Sequence, residues 1–169
     1  MKTNSLYLHI PFCEQICAYC DFCKVFYNEH QADDYLAVLK HELQALNITE
    51  PLKTIYIGGG TPSSLNDEQL EWLMDIIKPY ISSETKEVSI EVNPESIDYY
   101  KLDILKRGGV SRLSIGVETF NDILFKKKIN RQHTSITSLS GLSIMHAKLV
   151  LIIFQLILCM VCLSNDLRI

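Results

Sequence analysis

The hydrophobic positions along residues 5–117 change repeatedly between an extended pattern and a helical one. Apolar residues that alternate or run together for a few positions predict strands, and those that recur every three or four positions predict amphipathic helices. The predicted strands are Ser5–Ile10, Lys53–Ile57, Val88–Val92 and Arg112–Val117. The predicted helices are Ala32–Leu46, Asp67–Tyr80 after a cap at Asn66, and Ile97–Lys106. Strands that alternate with helices in this way predict an α/β fold with a parallel sheet.

Cysteines, a glycine run and polar residues lie at or directly after the ends of the predicted strands. Pro11 ends the first strand and opens a loop that contains several cysteines, and the glycine run 58–60 follows the second strand. Glu91 and Asn93 close the third strand, and residues 116–118 close the fourth. Because ligands of α/β proteins bind at the carboxyl ends of the strands, we expect the functional site at this edge of the sheet.

The last part of the chain, residues 136–169, differs in composition from the rest. It contains three charged residues, Lys148, Asp166 and Arg168, whereas the whole chain has 16 Lys+Arg and 20 Asp+Glu. Its apolar run Leu149–Leu163 is 15 residues long and contains a glutamine. A spanning helix needs about 20 residues, and no cluster of Lys or Arg flanks the run. We therefore expect no membrane insertion and divide the chain into residues 1–135 and an apolar tail, 136–169.

Overall composition narrows the class of protein. Hydrophobic residues at 47% and charged residues at 21% are typical of a globular protein, and a net charge of −4 gives no basic surface for nucleic acid. At 169 residues the chain is too short for a complete (β/α)₈ barrel of about 250. The first residues lack the apolar core and cleavage site of a signal peptide, so we expect a cytoplasmic location and reduced thiols.

Three cysteines in the loop after the first strand, Cys13, Cys17 and Cys20, have the spacing C-x3-C-x2-C. Three thiolates on one loop can hold three irons of a [4Fe–4S] cluster and leave the fourth iron open to an outside ligand. The alternative is a structural zinc site completed by Cys23. Such sites usually combine two distant ligand pairs, and the remaining pair of cysteines, Cys159 and Cys162, lies inside the apolar tail, so the spacing favours the cluster.

Four motifs along residues 5–135 resemble, in order, those of radical S-adenosylmethionine (SAM) proteins, and among them the oxygen-independent coproporphyrinogen III oxidase family. The motifs are Tyr7–Cys13 with Cys17 and Cys20, Ile57–Ser63, Glu91–Glu95, and Gly109–Val117. The resemblance implies an incomplete radical SAM partial TIM barrel of about four βα units. It also implies that the open iron binds the amino and carboxylate groups of SAM and reductively cleaves it to a 5′-deoxyadenosyl radical.

The resemblance further implies a set of cofactor-binding residues. They are Tyr7, Gly59, Gly60, Thr61, Glu91, Glu118 and Arg131. In this set the glycine carbonyls and the Thr61 hydroxyl bind the methionyl ammonium of SAM, Glu91 binds the ribose hydroxyls or the ammonium, and Arg131 binds the methionyl carboxylate. Tyr7 packs against the cluster site. Apart from the cluster itself, no catalytic residue is implied.

Two branches of the family differ after the third cysteine. The oxidase signature continues C-x3-C-x2-C-x-C, whereas here Phe22 occupies the position of the extra cysteine, and Cys23 is out of register and is expected not to bind the cluster. This form resembles the heme chaperone branch, which binds heme and delivers it to acceptor proteins. We therefore predict a heme chaperone-like function with heme or porphyrin as a partner. The alternatives are a coproporphyrinogen III oxidase that decarboxylates its substrate anaerobically, and a small zinc-binding protein with a hydrophobic tail.

The resemblance stops near Ser135. Each residue restricts the codons that can encode it, and so restricts the peptide encoded when the reading frame is shifted by one base. For Val150–Leu163 the shifted frame permits G-F-D-N-I-S-I-D-L-M-Y-G-L-P, which resembles the family's next strand and the motif that follows it. We therefore predict that the tail is out of frame and without family structure. The chain is then an inactive fragment, and the chaperone branch and the truncation both argue against turnover. An unpaired strand edge would also make it prone to aggregation.

Overall fold

The computed structural model describes residues 4–17, 20–117 and 153–158. The strands are β1 (Ser5–Ile10), β2 (Phe12–Cys13), β3 (Val25–Phe26), β4 (Thr54–Gly59), β5 (Glu87–Val92), β6 (Arg112–Val117) and β7 (Ile153–Leu158). The helices are α1 (Glu29–Ala45), α2 (Asp67–Ile77) and α3 (Tyr99–Arg107), with two short 3₁₀ helices at Pro62–Ser64 and Lys78–Tyr80.

The main sheet has five parallel strands in the order β1-β4-β5-β6-β7. A separate two-stranded parallel sheet pairs β2 with β3. Helix α1 connects β1 to β4, α2 connects β4 to β5, and α3 connects β5 to β6. The predicted α/β fold with a parallel sheet is therefore confirmed, and all carboxyl ends of the main strands lie at one edge.

The two faces of the main sheet differ in polarity because successive strand residues point to opposite sides. One face contributes apolar side chains to a single core that it shares with the three helices. Fully buried examples are Ile10, Leu36, Ile55, Ile57, Leu70, Leu73, Ile90, Leu105 and Leu113. The other face carries polar and aromatic groups, among them Tyr7, Tyr56 and Glu91. These groups are available to build a site, since the core does not use them.

Each of the three helices begins after a capping side chain, and the sequence pattern predicted one of these caps. The predicted cap at Asn66 is confirmed, and a complete capping box joins it to Gln69, the third residue of α2. Helix α1 begins three residues before its predicted start because the Asn28 side chain accepts a hydrogen bond from the backbone of Gln31 at 3.1 Å. In the same way Asp98 caps α3, which begins two residues after its predicted start.

Strand β7 lies inside the apolar tail, where the sequence analysis predicted no family structure. It pairs parallel to β6, with Ile153 opposite Arg112 and Leu158 opposite Val117. In the shifted reading its six positions correspond to N-I-S-I-D-L, the expected next strand of the family. No helix in the described part of the chain is long and apolar enough to cross a membrane.

Candidate functional site

The cysteine loop is closed at its base by the small sheet of β2 and β3. The backbone N–H of Val25 donates to the Pro11 carbonyl, and that of Tyr27 donates to the Cys13 carbonyl, both at 2.8 Å. Cys13 is therefore fixed in a strand and is buried, while Cys17 and Cys20 are partly exposed and Cys23 is exposed. Among the described residues, no three potential metal ligands are already gathered into one group. The structure anchors the loop, and ligation by its three cysteines stays a prediction.

His9 connects β1 to the far end of this loop. Its Nε2 donates to the Cys23 carbonyl at 2.8 Å, and its Nδ1 is hydrogen-bonded to the Tyr7 hydroxyl at 3.1 Å. The Tyr35 hydroxyl of α1 donates to the His9 carbonyl. At the sequence level His9 is as compatible with a structural role as with a functional one, and the structure shows a structural contact to the loop backbone.

The glycine run after β4 allows the chain to pack closely against the start of the cysteine loop. Gly59 has φ of +120°, and a Cβ atom there would lie 2.6 Å from the His9 ring. A Cβ atom on Gly60 would lie 2.7 Å from the Phe12 carbonyl oxygen, which is backbone and cannot move aside. Both glycines are thus required by contacts within the chain itself. Binding of the SAM ammonium by their carbonyls stays a prediction.

Glu91, at the end of β5, is held by donors to both carboxylate oxygens. The Tyr56 hydroxyl donates to Oε1 at 2.5 Å, and the Gly59 backbone N–H donates to Oε2 at 3.1 Å. The Tyr7 ring stacks on Tyr56 with 5.9 Å between the centroids. Burial, together with the hydrogen bond and charge of Glu91, raises the pKa of Tyr56 to about 12. Tyr56 therefore stays protonated at neutral pH and keeps donating to Glu91.

Thr61 lies between the glycine run and the cysteine loop. Its hydroxyl oxygen is 3.6 Å from Cys13 Sγ and accepts a hydrogen bond from Asn93 Nδ2 at 3.2 Å. The structure therefore brings Cys13, Thr61 and Asn93 together from three different strand ends.

The predicted cofactor-binding residues Gly59, Gly60, Thr61 and Glu91 all lie at or just beyond the carboxyl ends of β4 and β5, as expected. Tyr7 lies within β1. Its ring stacks on Tyr56, which donates to Glu91, and its hydroxyl is connected to the cysteine loop through His9. Glu118 and Arg131 lie outside the described residues.

Two residues of this site are absent from the predicted set of cofactor-binding residues. Tyr56 is directly opposite Tyr7 in the register of β1 and β4, and Asn93 contacts Thr61 across neighbouring strand ends. Tyr56 alternates with buried isoleucines, which places it on the polar face of the sheet. This alternation could have identified it as a site residue. Asn93 stood within a recognised motif, but its partner depends on which strands are adjacent.

The fold and the composition of this edge define an α/β protein with a cysteine loop at the carboxyl ends of parallel strands. The model of one family, described as the Radical SAM superfamily, matches residues 7–159. The chain belongs to the radical SAM superfamily, which confirms the relationship predicted from the motifs. The matched range extends past Ser135 and includes β7.

Similar proteins come from both predicted branches. The chain is 48% identical over 142 residues to the Heme chaperone HemW of Bacillus subtilis (strain 168), a match that covers 80% of this chain and 38% of the relative. It is 38% identical over 133 residues to the Oxygen-independent coproporphyrinogen III oxidase of Salmonella typhimurium, covering 76% of this chain and 29% of that protein. The chain thus spans 38% of the length of the first relative and 29% of that of the second.

A solved structure shows the same fold. Coproporphyrinogen III oxidase (HemN) from Escherichia coli, described as a radical SAM enzyme, superposes with a TM-score of 0.79 at 31% identity. The superposition covers 92% of this chain and 37% of that one. The parallel sheet described above therefore corresponds to part of the larger fold of that enzyme.

Proposed function

We propose that residues 1–135 are the N-terminal part of a heme chaperone-like radical SAM protein in which Cys13, Cys17 and Cys20 hold a [4Fe–4S] cluster. The observation that carries this proposal is the position of the three-cysteine loop. It is anchored beside Thr61 at the carboxyl edge of the sheet, in a chain of the radical SAM superfamily.

The donor set fits such a cluster. Three thiolates on one loop are soft ligands suited to iron–sulfur clusters, and the backbone contacts of Cys13 fix one of them. When bound, the cluster supplies the electron that cleaves SAM. Gly59, Gly60, Thr61 and Glu91 lie nearby and are proposed to bind the amino acid and ribose parts of SAM, together with Tyr7, Glu118 and Arg131.

The cargo is proposed to be heme or a porphyrin, delivered to heme-acceptor proteins. Identity reaches 48% to the heme chaperone of Bacillus subtilis and 38% to the coproporphyrinogen oxidase of Salmonella typhimurium. The heme chaperone and the oxidase of Escherichia coli are both 37% identical to this chain. The Phe22 side chain, at the position of the oxidase's additional cysteine, is 70% exposed beside the loop, where an apolar ligand can reach it. The second candidate function is oxidative decarboxylation of coproporphyrinogen III, because an oxidase shares the same fold over this range. For either function we propose a cytoplasmic location, where thiols stay reduced.

Anaerobic reconstitution of the 169-residue chain with iron and sulfide tests the cluster. We expect thiolate-to-iron absorption and, after reduction by dithionite, an electron paramagnetic resonance (EPR) signal that changes when SAM is added. Elemental analysis that finds zinc alone would overturn the proposal in favour of the zinc-binding protein. Retained heme without decarboxylation of coproporphyrinogen III supports the chaperone, whereas decarboxylation supports the oxidase. Failure of both, with a cluster present, supports an inactive fragment.

We also propose that residues 136–169 are out of frame and that the chain in this form is an inactive fragment. The low charge of the tail and the permitted shifted codons support this interpretation. The family model matches the chain as given through residue 159, which includes most of the tail. The nucleotide sequence therefore decides between the two reading frames. We expect codons after Ser135 that encode the family motif in the shifted frame, and codons incompatible with that motif would refute the interpretation.

A further inference from the structure

The Thr61 hydroxyl connects the proposed cluster loop to the end of β5. It accepts a hydrogen bond from Asn93 Nδ2 and lies 3.6 Å from Cys13 Sγ. A hydroxyl group has one proton to donate and two lone pairs to accept with. Because the Asn93 amide nitrogen can only donate, it occupies one lone pair and leaves the Thr61 proton for the sulfur.

We propose that Thr61, oriented by Asn93, donates a hydrogen bond to the Cys13 thiolate and thereby sets the reduction potential of the cluster. This inference rests on the proposed function, because it requires Cys13 to be an iron ligand. The ligand form of cysteine is the thiolate, which can accept a hydrogen bond but not donate one. A hydrogen bond to a cluster sulfur stabilises the more negative, reduced state and raises the potential.

Burial strengthens this contact. Thr61 is 7% exposed and Cys13 is 6% exposed, so the hydrogen bond lies in a region of low dielectric constant. Asn93 is itself held in place, because its backbone N–H donates to the buried Ser63 hydroxyl at 3.1 Å. The second lone pair of Thr61 remains available to a SAM ammonium, so the two proposed roles of this hydroxyl are compatible.

The test compares the midpoint potential of the reconstituted 169-residue chain with that of Thr61→Val, which has a similar volume but no hydroxyl. The measurement is an anaerobic dithionite titration followed by EPR. We expect reduction of Thr61→Val to be about tenfold less favourable, which corresponds to a potential lower by about 59 mV for one electron. Thr61→Ser, which keeps the hydroxyl, is expected to restore the original value.

Ser64→Ala is the matched control. Its hydroxyl is also buried, but it donates to the Phe12 carbonyl at 3.1 Å and not to a sulfur, so its loss should leave the potential unchanged. A merely structural role of Thr61 would lower the cluster content without moving the potential of the clusters that remain.

The outcomes separate this inference from the proposed function. If the unsubstituted chain assembles no cluster, the proposed function fails and the inference fails with it. If that chain assembles a cluster and Thr61→Val has the same potential, the inference alone is overturned. Should Thr61→Val lose its cluster, Asn93→Ala carries the test, since it leaves Thr61 in place. A lower potential in that variant supports the inference, and an unchanged one overturns it.

Discussion

Replacing Cys17 or Cys20 by serine is expected to abolish cluster assembly, with iron and sulfide contents after anaerobic reconstitution at background. A serine oxygen does not replace a thiolate as a ligand of a cluster held by three cysteines on one loop. Both residues are only partly buried, so the substitutions should leave the fold intact. The measurement is iron and sulfide analysis together with absorbance, and far-ultraviolet circular dichroism checks folding.

Cys23→Ser is the matched control for these variants. Cys23 is exposed, and its structural contact is through its backbone carbonyl, which accepts from His9 and is unchanged by the substitution. We expect full cluster content in this variant. Equal loss of metal from Cys23→Ser and Cys17→Ser would instead indicate four cysteine ligands, as in the zinc alternative.

Substitution of Leu73 by alanine is expected to lower the free energy of unfolding by about 2–5 kcal/mol. Leu73 lies in α2 and is completely buried in the core between the helices and the sheet. Its truncation leaves a cavity that close-packed neighbours fill only in part. Small proteins are stable by only about 5–15 kcal/mol, so the change removes a large share of the total. Urea unfolding followed by circular dichroism measures it.

Leu46→Ala provides the comparison for this experiment. Leu46 follows α1, and its side chain is 61% exposed, so the same chemical change should alter the stability by less than about 0.5 kcal/mol. If the two variants unfolded at the same urea concentration, the core described here would not be the one that stabilises the chain.

Local patterns were sufficient to predict most of the elements. The bounds of β1 and β6 agree with the prediction at both ends, and the start of α2 agrees through its cap at Asn66. Alternation, helical periodicity and capping involve residues a few positions apart, so they can be seen in the sequence. The spacing of Cys13, Cys17 and Cys20 has the same local character, because one loop contains all three.

The sequence by itself therefore determined the class of fold, the order of its first four main-sheet strands and three helices, and the loop that offers the thiolates, but not β2, β3 or β7. The tertiary structure decided which residues meet at the carboxyl edge of the sheet. Glu91 receives its hydrogen bonds from β4, and Thr61 lies between Cys13 and Asn93, although these residues are about 30 to 50 positions apart along the chain. Such contacts depend on which strands are adjacent and in what register, and a register is set by the packing of the whole sheet against its helices rather than by neighbouring residues.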